Sequence, residues 1–459
     1  MQFLRSARPT LILALPIMAG QISQMLIALV DSAMVGHVST LALAASALAL
    51  NVSNIPVVFG IGAMSGLSVR VAQAQGAQDD ALTTKLLRHG LWLSLFVGIF
   101  LSLLMLGLIP LLGHLGQSPE VVREAKPFFA FLALSVAPVV LGMAVKSFGE
   151  AMRHPWPPTL LFLASVPLTA LLNWVFVYGN LGAPQMGLLG AGVATFLARC
   201  IAAGALLWWL HKEKRFASVR PTKWPGALQR DELRSLITVG FPAALQFAVE
   251  VGAFSAGAII VGLLGEKALA AHQVAITCAA TTFMLPLGIA IATTVRIGNA
   301  LGARRLDEVR SIGASSAVVG TLIMMASGLT FLFFGHQIAA LFLKDAPVID
   351  LAARLLVVAA LFQLFDGVQV TMAGALRGLG DAFVPMIVCA VGHWILALPF
   401  GYLLAFKLGL GARGVWFGFA LGLAIVAIAL SLRFGKRTRG AVLEEIADEL
   451  PSGAALAAH

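Results

Sequence analysis

Apolar residues run along this chain in long, unbroken blocks. They show neither the alternation of half-buried strands nor the one-sided stripe of surface helices. Residues 90–115 and 268–295 contain no Asp, Glu, Lys or Arg. Residues 155–198 contain none either, and the turn sequence Tyr-Gly-Asn-Leu-Gly-Ala-Pro at 178–184 folds that block in two. A bilayer core about 30 Å thick takes roughly 20 apolar helical residues to cross. Blocks of that length recur and predict twelve spans, over 10–36, 43–69, 88–113, 126–148, 157–178, 188–210, 234–263, 268–296, 311–340, 351–375, 382–405 and 414–433. Helices satisfy their own backbone in lipid, so the pattern predicts an all-α integral membrane protein.

Composition narrows the classes. Of 459 residues, 11% are charged, against about 25% in ordinary globular chains, which excludes a soluble domain, a disordered chain and a disulfide scaffold. Cys200, Cys278 and Cys389 lie in apolar runs without CxxC spacing, so they suggest neither a metal site nor a disulfide framework. The net charge of +10 is explained by topology rather than by nucleic acid. With loops alternating across the membrane, the N-terminus, the even-numbered loops and the C-terminal tail hold 23 of the 31 Lys and Arg, Arg5, Arg8, Lys212 and Arg437 among them. The odd loops hold 7, and Arg199 falls inside span six. Basic excess marks the cytoplasmic side, so both termini are expected there. The first apolar stretch is longer than a signal peptide and reads as a retained span. Residues 440–459 read as a short surface helix and a loose tail.

The chain also repeats itself. At an offset of 226, Pro16 falls on Pro242, Gly36 on Gly262, Leu43-Ala-Ala45 on Leu269-Ala-Ala271 and Val69-Arg70 on Val295-Arg296. This predicts an N-lobe over 1–210 with spans one to six and a basic cytoplasmic linker over 211–233. A C-lobe follows over 234–434 with spans seven to twelve, then a cytoplasmic tail over 435–459. Six spans per half is an even number, so both halves start from the same side and form a parallel repeat. Two such lobes around a shared cavity suit alternating access. Arg70 and Arg296 sit at matched helix ends, where a structural role is expected.

Enzyme machinery is missing from the sequence. There is no G-x-x-x-x-G-K-[ST] and no H-E-x-x-H, and the nine histidines are scattered, so neither catalysis nor a bound organic cofactor is expected. The remaining chemistry lies in acids at lipid depth, which cost about 2.5–3.5 kcal/mol each on insertion scales and therefore face a cavity or a partner. They are Asp31 in span one, Glu250 in span seven and Asp366 in span ten. No basic residue other than Arg199 is expected at comparable depth. Such carboxylates can carry H⁺, or can form a cage for Na⁺ with amide and hydroxyl oxygens, for which Asn173, Thr195 and Gln273 are the candidates. Gln246, Phe254, Phe283, Met284 and Phe362 would give the second half an aromatic and thioether lining suited to flat organic cations.

Several strings carry a family resemblance: Val-Asp31-Ser-Ala-Met-Val-Gly36, Leu269-Ala-Ala-His-Gln-Val-Ala275, Arg296-Ile-Gly-Asn-Ala-Leu-Gly-Ala303, Asn173-Trp-Val-Phe-Val-Tyr-Gly179 and Asp366-Gly-Val-Gln369. The chain resembles the multidrug and toxic compound extrusion (MATE) family, in its NorM-type bacterial branch, to about residue 434. The resemblance implies a multi-pass protein of the bacterial inner membrane that exports organic cations in exchange for Na⁺ or H⁺. It places Asp31, Glu250 and Asp366 at the family's coupling acids. One position departs, since Thr169 stands where the family often has an asparagine. A monomer in contact with membrane lipids is expected. A lipid or lipid-linked oligosaccharide flippase of the same broad fold group is the alternative, although such proteins usually line their cavity with cations.

Overall fold

The computed structural model describes residues 2–221, 224 and 228–450, and these are helical nearly throughout, with no strand among them. Twelve helices are long and apolar enough to cross a bilayer. In the first half these are α1 (Ser6–Gly36), α2 (Thr40–Gly76), α3 (Asp80–His114), α4 (Pro119–Ala151), α5 (Trp156–Phe176) and α6 (Gly187–Lys212). In the second half they are α7 (Arg230–Gly262), α8 (Glu266–Gly302), α9 (Leu306–Phe342), α10 (Ala346–Gly378), α11 (Phe383–Lys407) and α12 (Ala412–Arg437). All twelve expected spans are present.

Many ends overrun the apolar blocks: α2 continues to Gly76 and α9 begins at Leu306. Hydropathy locates only the segment that lipid must cover, whereas a helix continues for as long as its terminal N–H groups find acceptors. Ser39 accepts from the Ala42 N–H at 3.0 Å to start α2, and Asp79 accepts from the Leu82 N–H at 2.8 Å to start α3. The turn before α3 and the turn before α9 have the same form. Gln78 and Arg304 adopt left-handed φ values of 57° and 56°, directly after α2 and α8, with matched five-residue hydrogen bonds from the Asp79 N–H to the Ala74 carbonyl and from the Arg305 N–H to the Ala300 carbonyl.

The chain packs as two compact units that do not divide at the linker. One comprises residues 19–244, and the other 1–18 with 245–451, of which residue 451 lies outside the described residues. The start of α1 therefore belongs with the second half of the chain, and the start of α7 with the first. Within the first unit, Gly66 and Gly240 bring α2 and α7 into backbone contact. A Cβ added at Gly66 would lie 2.2 Å from the Leu236 carbonyl, and one at Gly240 would lie 2.3 Å from that of Ala63. Arg70 closes the same junction by donating to the Ser235 carbonyl at 3.2 Å. Within the second unit, Gly288 meets the Met18 side chain, and Arg296 donates to the Ser6 carbonyl at 2.6 Å and to the Thr10 hydroxyl. The two arginines thus do the structural work expected of them, each anchoring the first turns of a helix from far along the sequence.

The tail forms a helix, α13 (Gly440–Asp448). Its apolar side is not loose: Leu443, Ile446 and Ala447 are buried with Ile297, Leu301 and Ile312 of the second unit, and Asp448 pairs with Arg304 at 2.6 Å. Residues 451–459 of the tail, and 222–223 and 225–227 of the linker, lie outside the described residues.

Candidate functional site

Each unit holds its own cluster of acid and amide side chains. In the first unit, Asp31 of α1 is half-buried, and its Oδ1 accepts from Asn173 Nδ2 of α5 at 2.5 Å. Thr195 of α6 lies beside the same carboxylate. Asn173 is fully buried, and its Oδ1 accepts no hydrogen bond from any described residue. A carboxylate beside an open amide oxygen and a hydroxyl is a hard-cation donor set. Two of the three residues expected to support such a site, Asn173 and Thr195, are therefore assembled on Asp31. Gln273 belongs to the second unit and is exposed on α8. Thr169 is buried on α5, one turn before Asn173.

Asp31 also has a cationic neighbour. Arg199 of α6 lies within electrostatic range of it and donates from Nη1 to the Ser135 hydroxyl at 2.7 Å. Ser135 sits where α4 is interrupted, and its hydroxyl donates to the Leu132 carbonyl at 2.6 Å while accepting from the guanidinium. The charge of this cluster is close to balanced.

In the second unit, Glu250 of α7 accepts at Oε1 from two amides: Gln246 Nε2 at 3.0 Å, one turn earlier, and Gln369 Nε2 of α10 at 2.8 Å. Gln369 Nε2 also donates to Cys389 Sγ of α11 at 3.5 Å. Asp366 is buried one turn before Gln369 and lies within electrostatic range of Glu250. Both acids are thus brought together with Gln246, whose amide nitrogen donates to Glu250. Close packing fixes α10 against α8 and α9: a Cβ at Gly374 would lie 2.5 Å from the Ala290 carbonyl, and one at Gly367 would lie 2.8 Å from the Met324 side chain.

Two further basic side chains are buried in the protein interior. Arg377, in the last turn of α10, is buried, stacks 5.1 Å above the Phe247 ring of α7 and lies within electrostatic range of Glu250. Lys146 and Glu150 form a buried pair at 2.7 Å on α4, with Lys146 also donating to Gln21 Oε1 at 3.4 Å. Sequence alone reads Arg377 as a loop residue because it falls at a helix end. The aromatic candidates separate too. Phe362 is buried against Trp416 and Phe254, and Phe254 packs on Phe419 with centroids 5.0 Å apart. These rings form a core cluster in which Trp416 donates to His272 Nδ1 at 3.1 Å. Phe283 and Met284 are half-buried on α8.

Comparison with known proteins places this arrangement in a family. The family model described as MatE matches the chain over 16–175 and again over 242–403. The probable multidrug resistance protein NorM of Bradyrhizobium diazoefficiens is 37% identical over 429 residues, covering 93% of this chain and 92% of that one. Its namesake in Mesorhizobium japonicum is 36% identical, covering 94% of each chain. The crystal structure of the eukaryotic MATE transporter AtDTX14 superposes with a TM-score of 0.87 at 21% identity, covering 97% of this chain and all of that one. The match of the family model over most of the chain and these relatives make this multi-pass membrane protein a member of the MatE family.

Proposed function

We propose that this protein exports organic cations from the cytoplasm, alternating its access between the two sides of the membrane, and that inward movement of Na⁺ or H⁺ drives it. Its membrane is the bacterial inner membrane and both termini are cytoplasmic, a reading supported by the distribution of Lys and Arg. The names of its relatives support multidrug substrates.

One observation carries the coupling: two acids, Glu250 and Asp366, are buried near each other, with one guanidinium, Arg377, in range. Among the described residues, one negative charge there has no cationic partner of its own. An uncompensated buried charge costs several kcal/mol, so the cluster gains a cation: an ion or proton in one state, the cationic substrate in another. Competition for that charge couples the two fluxes. The cluster around Asp31 has the donors for a cation but is already balanced by Arg199, so its contribution is secondary. Phe283 and Met284 supply apolar contact to the substrate. A monomer suffices, since each cluster is complete within one chain.

The test is Asp366→Asn in cells expressing the protein. Resistance to a cationic dye is expected to fall to that of cells without the protein, while the variant remains in the membrane at the wild-type level. Unchanged resistance would refute the assignment.

A further inference from the structure

In the second unit, α11 is not a uniform α-helix. Over Val391–Ala397 its turns widen into a π-helical stretch, and such stretches recur at functional sites. One flank is pinned by α12, since a Cβ at Gly392 would lie 2.1 Å from the Val426 side chain. In an α-helix, residues four apart share a face and residues five apart do not. The i→i+5 hydrogen bonding of a π-helix brings the fifth residue round as well. His393 and Trp394 stand four and five residues after Cys389, and all three meet the part of α7 that carries Glu250.

Trp394 Nε1 donates to the Val249 carbonyl at 3.0 Å, directly before Glu250 in the chain. A helical carbonyl oxygen has a second lone pair with which to accept such a donor. The indole lies on α7 where residue 252 is glycine, and a Cβ there would sit 3.3 Å from indole Cζ2. One turn beyond Glu250, the Phe254 ring meets the edge of His393 with centroids 5.9 Å apart, and His393 Nδ1 donates to the Cys389 carbonyl at 2.9 Å. Cys389 is buried, and its thiol lies beside Glu250 and within electrostatic range of Arg377. Its sulfur accepts at 3.5 Å from Gln369 Nε2, the same nitrogen that donates to Glu250. The backbone of Glu250 and one of its amide donors are therefore both held from α11. We infer that α11 positions Glu250 for its cationic ligand, with Trp394 holding the α7 backbone and Cys389 holding Gln369; the inference rests on the substrate role proposed for Glu250. Loss of the indole N–H or of the thiol removes no acid from the cluster. It lowers the fraction of protein with Glu250 in the binding geometry, and apparent affinity falls by that fraction.

The test measures ethidium transport by the full chain in proteoliposomes over a range of dye concentrations, under the gradient that drives the wild type. Ethidium binding to the purified chain is read alongside by fluorescence polarisation. Trp394→Phe keeps a ring and removes the N–H. It is expected to raise the half-saturating dye concentration roughly threefold to tenfold, the worth of one hydrogen bond, with a maximal rate within about twofold of wild type. Cys389→Ala should show the same shift, and Cys389→Ser, which keeps a donor and an acceptor, should restore the wild-type value. Trp208→Phe, exposed on α6, should change neither quantity. A purely structural role would lower the maximal rate through loss of folded protein and leave half-saturation in place. If Cys389→Ala is not recovered folded, Trp394→Phe decides alone. Wild-type half-saturation in either variant overturns that residue's part, and an equal shift in Trp208→Phe overturns both, while the coupling reading stands. A wild type that neither binds nor moves ethidium overturns the coupling reading and this inference with it.

Discussion

At the level of single residues, charge balance separates the two acid clusters. Asp31 faces Arg199, so Asp31→Asn strands a guanidinium and removes a charged hydrogen-bond acceptor from Asn173. That loss is expected to cost about 1–3 kcal/mol, read as a lower unfolding temperature in detergent. Asp366→Asn instead relieves repulsion with Glu250, so its unfolding temperature should match or exceed the wild type while dye export is lost. A variant that melts early would contradict the charge count. Gln369→Ala removes one of two donors to Glu250. At about 1.5–3 kcal/mol for a hydrogen bond to a charged group, the expected result is at least a tenfold weaker export at limiting driving gradient, with Gln369→Asn restoring part of it. The acids were legible in the sequence because a carboxylate inside an apolar block is conspicuous. Gln369 and Arg377 were not: one is an amide among many, and the other falls where a helix end and a loop look alike. Nor does the sequence tell a ring facing a ligand from a ring in the core, and Phe254 and Phe362 belong to the core.

At the level of helices, all twelve spans could be read from apolar length, since lipid leaves the backbone little choice. Their ends could not, because capping and interfacial water rather than hydropathy set them. The glycine contacts at the ends of α1 and α7 are equally invisible in sequence, where glycine is common throughout. They give a sharp expectation. Gly66→Ala places a methyl into a backbone carbonyl of α7 and should destabilise the first unit by roughly 1–3 kcal/mol. Gly107→Ala, whose Cβ meets nothing within 4 Å inside a helix, should leave unfolding unchanged or raise its temperature slightly. Equal melting of the two variants would show that the junction between α2 and α7 is not close-packed. Arg296→Gln should likewise lower the unfolding temperature, by releasing Ser6 and Thr10 at the start of α1.

For the whole molecule, the linker is the natural place to divide the sequence, yet compactness divides it elsewhere. The first turns of α1 and α7 each belong with residues far along the chain. Offset repetition shows that two similar halves exist; it cannot show which half a terminal segment packs on, because that depends on contacts such as Arg70 with Ser235 and Arg296 with Ser6. Transport is a property at this scale, and so is the proposal that an inward cation gradient drives export of a cationic dye through the Glu250 and Asp366 pair. The direct measurement is dye movement in proteoliposomes under an imposed Na⁺ gradient and, separately, an imposed pH gradient, for the wild type and for Asp366→Asn. At least one gradient is expected to drive dye movement in the wild type, and neither in the variant. No movement under either gradient, or equal movement by the variant, would contradict it.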